Sequence, residues 1–370
     1  MDHVWNVRVE ALPVDPASDA YVAAISADAV VHPDFGAGLW AGRPIDIPFG
    51  VVGPGQATAT CWCSRPAAAL RSMCGAAAEA RRVVTSRMPR PPHDAQPEAT
   101  PLPTVRDDDL VRFEAEGPWP LPPAEAEGFV ETEGARIWFA TFGRGPAVVL
   151  LHGGLGNAGN WGYQVPALVR AGHRVVVVDT RGHGRSSWDG RPLGYAQLAS
   201  DVAAVLRVVG VGRAHLVGWS DGAVVALLLV AADPAAVAGV LFFGCNVDAS
   251  GTLPFEFTPV VGRCLQRHRL DYAELSATPD RFQELMDAVT RMQQTEPNLS
   301  SADLAAIEVP VTVVHAEHDE FIRAEHAAYL AASLPNAELV RLGGVSHFAP
   351  VQRPEVFNGA VAAFLARVSG

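Results

Sequence analysis

The sequence contains no lysine; all 28 of its basic residues are arginine. That absence excludes a Schiff-base lysine, a pyridoxal phosphate enzyme and a Walker P-loop, each of which needs an ammonium at a fixed place. Cysteine is scarce. Cys61, Cys63, Cys74, Cys245 and Cys264 are odd in number and match no zinc-ligand spacing, so they read as free thiols in a reducing compartment. No block of basic residues occurs and the net charge is −12, which argues against a nucleic-acid partner. The first twenty residues lack a basic stretch followed by an apolar one, and the longest apolar run, around 224–232, is too short to span a bilayer. The expectation is a soluble, cytoplasmic protein with no membrane partner. What is present is apolar: 49% of residues are hydrophobic and 18% charged, enough for a sizeable core.

The pattern changes near residue 126. Residues 1–125 show poor periodicity, and 56–105 are rich in Ala, Arg and Pro. This part reads as an N-terminal extension, poorly ordered or of unknown role. Residues 126–370 alternate regularly. A strand pair is predicted over 129–142, and short apolar runs predict strands at 147–151, 174–178, 215–218, 240–243, 311–314 and 338–342. Helical spacing covers 161–171, 195–209, 223–232, 324–333 and 354–368. Strands alternating with helices imply an α/β fold: a mostly parallel central sheet with helices on both faces. No strand pattern occurs between 246 and 307, so a small helical cap, about 247–307, is expected after the fourth core strand.

Gly218-Trp219-Ser220-Asp221-Gly222 lies between an apolar strand and an apolar helix. A turn this tight excludes side chains at 218 and 222 and projects the Ser220 hydroxyl at the carboxyl end of the sheet. Ser220 is therefore the predicted nucleophile. The acid should follow a later strand; Asp319 is chosen, with Glu317 in reserve. The base should come last, and His347 lies in Gly343-Gly344-Val345-Ser346-His347-Phe348. The chain order Ser, Asp, His suits a triad. Two backbone amides should hold the oxyanion: that of Asp221 and, from His152-Gly153-Gly154-Leu155, that of Gly154 in preference to Leu155. Trp161, Trp219, Asp221 and Phe348 are the expected substrate-binding residues. Phe255, Phe257 and Met292 are candidates for the cap lining, with core packing the plainer reading. No cofactor or metal is required. A rival reading exists: Gly154-Leu155-Gly156-Asn157-Ala158-Gly159 follows a strand, and Asp179 ends the next, as in a dinucleotide-binding unit. It leaves Ser220, Asp319 and His347 without a role.

These motifs, with Asp179-Thr180-Arg181-Gly182-His183-Gly184-Arg185-Ser186, make residues 126–370 resemble the α/β-hydrolase superfamily. The resemblance implies a serine hydrolase of the esterase or lactonase type, cleaving a small carboxylic ester or lactone through an acyl-enzyme. Ala316 and Ala223 stand where glycine is common, and neither change removes a reacting group. With Ser at 220, the chemistry of the Asp-nucleophile epoxide hydrolases and haloalkane dehalogenases is not implied. The elbow together with Phe243-Gly244-Cys245-Asn246 is also similar to the valacyclovir-hydrolase-like branch. There the Asp after the nucleophile recognises the amino group of amino-acid esters, a role the resemblance carries to Asp221. The same fold and triad also serve perhydrolases and slow-turnover ligand-binding signalling proteins. Nothing in the sequence specifies an oligomeric state.

Overall fold

The computed structural model describes residues 31–40, 43–51 and 110–369. They belong to two compact units, Met1–Pro92 and His93–Gly370. The described part of the first unit is an antiparallel pair, β1 (Val31–Trp40) and β2 (Arg43–Val51), whose register shifts between Pro33 and Gly36. Cys61, Cys63 and Cys74 lie outside the described residues.

The second unit opens with α1 (Leu110–Glu116), followed by β3 (Ala126–Thr132), β4 (Ala135–Phe142) and β5 (Ala147–Leu151). Then come α2 (Gln164–Arg170), β6 (Arg174–Val178), α3 (Tyr195–Val208), β7 (Ala214–Trp219), α4 (Asp221–Ala232) and β8 (Val237–Phe243). The expected cap contains α5 (Pro259–Leu275), α6 (Phe282–Thr295) and α7 (Ser301–Ala305). The chain ends with β9 (Val311–His318), α8 (Ala324–Ser333), β10 (Ala337–Ser346), α9 (Ala349–Gln352) and α10 (Pro354–Ser369).

The sheet order is β10-β9-β8-β7-β5-β6-β4-β3. Pairings from β6 through β5 to β10 are parallel; β3 with β4 and β4 with β6 are antiparallel. The run of valines in β6 shows why the central strands read as continuous apolar text. Val175 and Val177 enter one core; Val176 and Val178 enter the other. Successive side chains on a strand point to opposite faces, so a sheet covered on both sides needs apolar residues at every position. Residues of α3, α4 and α6 cover one face, and residues of α1, α2 and α10 the other.

α1 precedes residue 126 and belongs to the unit His93–Gly370. Leu110 is fully buried and Phe113 nearly so, and both sit in the second core with β4, β5 and α10. The strand order also reverses at β5: β6 lies on one side of it and β7 on the other. A crevice opens at the carboxyl ends of strands at such a switch point. The motif at 152–155 follows β5 and the motif at 218–222 straddles the end of β7; these are the two strands that flank the crevice.

Candidate active site

β9 and β10 run parallel with Ser346 opposite His318. The next residues, His347 and Asp319, therefore leave the sheet side by side at its carboxyl edge. His347 Nδ1 lies 3.1 and 3.2 Å from the two Asp319 oxygens. Asp319 Oδ1 also accepts from the amides of Phe321 and Ile322, each at 3.0 Å. Burial works against ionisation of Asp319, but His347 and those amides outweigh it and hold the carboxyl below its ordinary value. An ionised carboxylate only accepts hydrogen bonds, so Nδ1 carries a proton and Nε2 keeps its lone pair. Burial likewise opposes protonation of His347, yet Asp319, Glu320 and Asp221 reverse the balance and raise its pKa above 6.5.

The histidine is held on every side. Its amide donates to Glu320 Oε2 at 3.0 Å, and its carbonyl accepts from Trp219 Nε1 at 2.8 Å. The Phe321 ring meets it edge-on at 4.7 Å, and Phe243 stacks at 6.2 Å. Gly244, which follows β8, has φ +65°; a Cβ there would lie 3.1 Å from His347 Nδ1 and 3.3 Å from Asp319 Oδ2. Both the backbone angle and the space call for glycine.

Ser220 sits between β7 and α4 with φ 53° and ψ −127°. A non-glycine residue held there stores about 1–3 kcal/mol of strain. Its amide donates to the Phe243 carbonyl at 2.8 Å, which ties the turn to β8. A Cβ at Gly218 would overlap the backbone of Gly222 and Ala223, and one at Gly222 would overlap the Leu151 carbonyl. A Cβ at Gly153 would come within 2.9 Å of Ser220 Cβ, so the loop after β5 stands directly against the serine. That loop is pinned by His152. Its Nε2 accepts from the Thr180 amide at 3.0 Å, leaving Nδ1–H to donate to the Gly153 carbonyl at 2.7 Å. Burial pushes the His152 pKa down, which keeps this neutral tautomer.

The other predicted residues separate into groups. Asp221 is the first residue of α4, and its buried carboxylate accepts from Tyr195 Oη at 2.7 Å and from Gln293 Nε2 at 3.0 and 3.1 Å. Trp219 and Phe348 both touch the His347 ring. Trp161 is fully buried, edge-on to Trp219 and tilted against Phe357, so it packs beneath the site. Glu317, the reserve acid, accepts from the Gly344 amide at 2.7 Å and braces the irregular end of β10 before His347. Met292 is core, whereas Phe255 and Phe257 are exposed. Asp179 is not available to a ribose. It is fully buried, and its oxygens take the amides of Ala158 and Arg185 and the Arg185 guanidinium. Cys245 is buried, and burial raises the pKa of its thiol well above the ordinary value. Tyr195, Gln293, Gly244 and Phe321 were not foreseen as part of the site. Phe321 adjoins the acid motif, but Gln293 carries no local signal.

The model of the alpha/beta hydrolase family matches residues 148–360, from β5 through β7 and the cap to the first half of α10. The chain belongs to the alpha/beta hydrolase family. This hydrolase is 27% identical over 278 residues to a bifunctional esterase/perhydrolase of Acinetobacter calcoaceticus, covering 64% of this chain and 99% of that one. It is also 27% identical over 268 residues to a 2-hydroxy-6-oxononadienedioate/2-hydroxy-6-oxononatrienedioate hydrolase of Burkholderia vietnamiensis, covering 63% and 91%. Among solved structures, an N-acyl homoserine lactone degrading enzyme superposes with a TM-score of 0.51 at 28% identity, covering 64% of the hydrolase and all of that chain. No helix among its described residues is long and apolar enough to cross a membrane.

Proposed function

We propose that this hydrolase is a serine esterase or lactonase, with Ser220 as nucleophile, His347 as general base and Asp319 as the acid that orients it. The observation that supports the reading is the Asp319–His347 pair formed at adjacent strand ends, together with a serine held at positive φ in the strand-to-helix turn, whose amide bonds the carbonyl of Phe243, the ring stacked on His347. His347 Nε2 takes the Ser220 proton as Oγ attacks the carbonyl carbon. Charge moves to the carbonyl oxygen, where the amides of Gly154 and Asp221 receive it, assisted by the positive end of α4. Collapse expels the alcohol, which takes the proton from His347, and leaves an acyl-Ser220 ester. Water then attacks that ester with His347 again as base, releasing the acid and restoring the serine. Asp319 keeps Nδ1 protonated throughout.

The substrate is a small, largely apolar ester or lactone. Aromatic rings surround the base, and the esterase and lactone-degrading relatives support that bond class. The test is hydrolysis of short-chain p-nitrophenyl esters, with intact-mass detection of a fluorophosphonate adduct. Wild type should turn over and label on Ser220, and Ser220→Ala should fall to background in both measurements. Turnover that survives Ser220→Ala would end the assignment.

A further inference from the structure

Asp221 is a buried carboxylate beside the nucleophile, and the donors that satisfy it are neutral. A buried charge is costly unless it is paired and hydrogen-bonded. Tyr195 Oη, the side-chain amide of Gln293 and the N-terminal end of α4 offset part of that cost, and burial still holds the carboxyl above its ordinary value. The location matters as much as the charge. A Cβ at Gly154 would lie 2.6 Å from Asp221 Oδ2 and 3.0 Å from Gln293 Nε2. The carboxylate and its amide cap therefore rest on the loop that lies against Ser220.

The two donors differ in kind. Tyr195 is almost fully buried, at the start of α3, and is a fixed part of the core. Gln293 is exposed, in the last turn of cap helix α6, and reaches inward to both carboxylate oxygens. Its side-chain amide covers the carboxylate from the cap. The end of α6 is fixed by a second contact, because Glu296 accepts from the Tyr195 amide at 2.9 Å. The cap thus holds Gln293 over Asp221. An ammonium group would form a charge-assisted bond to this carboxylate, roughly twice as strong as a neutral one. To reach it, that group must displace an amide already bonded there.

We propose that Gln293 is a specificity-determining residue that masks Asp221 and sets the site for uncharged acyl groups. The proposal rests on the reading that acyl transfer occurs at Ser220. With the mask removed, Asp221 becomes a receptor for an ammonium on the carbon next to the scissile carbonyl. The measurement is the ratio of kcat/KM for L-alanine benzyl ester to that for benzyl propionate, at pH 7, where most of the amine is protonated. Wild type should show a ratio near or below one. Gln293→Ala should raise the ratio about tenfold, Gln293→Glu should raise it in the same direction, and Gln293→Ala/Asp221→Asn should abolish the rise. N-acetyl-L-alanine benzyl ester, bulkier but uncharged, should gain nothing. A wild-type ratio already above about ten, or a Gln293→Ala ratio within about twofold of wild type, overturns the proposal, as does an equal gain for the N-acetyl ester. Calorimetric binding of the first two esters in a Ser220→Ala background gives the same ratio without turnover. If wild type neither turns over benzyl propionate nor labels on Ser220, the acyl-transfer reading fails. The calorimetric ratio still decides whether Gln293 masks Asp221.

Discussion

In the proposed mechanism His347 must be neutral to accept the Ser220 proton, and its surroundings favour the charged form. Asp319 contributes most to that rise, and Glu320 and Asp221 add to it. Activity should therefore fall as pH drops through a pKa above 6.5, the ordinary histidine value, and be full above it. Glu320 offers a handle that leaves the Asp319 contact in place. It is bonded to the His347 amide, not to the ring. Glu320→Gln removes a negative charge that stabilises the imidazolium. The acid limb of kcat/KM against pH should move to lower pH, with the plateau largely retained. An unmoved or raised limb would show that Glu320 does not act on the ring electrostatically. A second residue-scale expectation concerns Gly244, where a side chain would meet the Asp319–His347 pair at 3.1–3.3 Å in a left-handed backbone. Gly244→Ala should lower kcat by at least about tenfold with little change in KM, because it displaces the base without touching the acyl site.

At the level of elements, α1 has an effect out of proportion to its seven residues. Leu110 and Phe113 are buried together, and Phe113 lies edge-on to His268 of α5 at 5.8 Å. The helix thus joins the core to the cap. Phe113→Ala should cost about 3–5 kcal/mol, and thermal denaturation should report a Tm lower by roughly 6–20 °C. A fall of less than about 2 °C would place α1 outside the cooperative unit. The same helix shows where sequence reading stops. β5 and β6 are predicted to the residue, because an apolar run buried on both faces has no competing interpretation. α1 carries only two inward residues after a Pro-rich stretch, too few to show a period. β10 runs on to Ser346, although Gly343 and Gly344 read as a loop. Its register shifts between Leu342 and Ser346, and this irregular end sets His347 beside Asp319. The triad candidates were legible because glycine spacing and chain order constrain them. Gln293 was not. The apolar face of α6 (Phe282, Leu285, Val289, Met292) shows in the sequence, but which polar residue of the last turn reaches inward depends on packing.

Across the whole molecule, charge sets a different kind of selectivity. The chain carries a net charge of −12. Asp221, Asp319 and Glu320 all lie close enough to bear on the pKa of His347. No cation among the described residues forms an ion pair with Asp221 or Glu320. An anionic substrate therefore approaches acidic side chains that no ion pair among the described residues neutralises, and their field is long-ranged only in dilute salt. The Debye length is about 30 Å at 0.01 M and about 8 Å at 0.15 M. The mono-p-nitrophenyl ester of succinic acid and p-nitrophenyl butyrate are similar in length and differ in charge. The ratio of their kcat/KM values, anionic over neutral, should be below one at low salt. It should rise several-fold between about 0.01 and 0.15 M, with the neutral ester nearly constant. A ratio that falls with added salt would mean that an arginine captures the acid at short range, and the acyl site would then be built for a dicarboxylic half-ester instead of a neutral one.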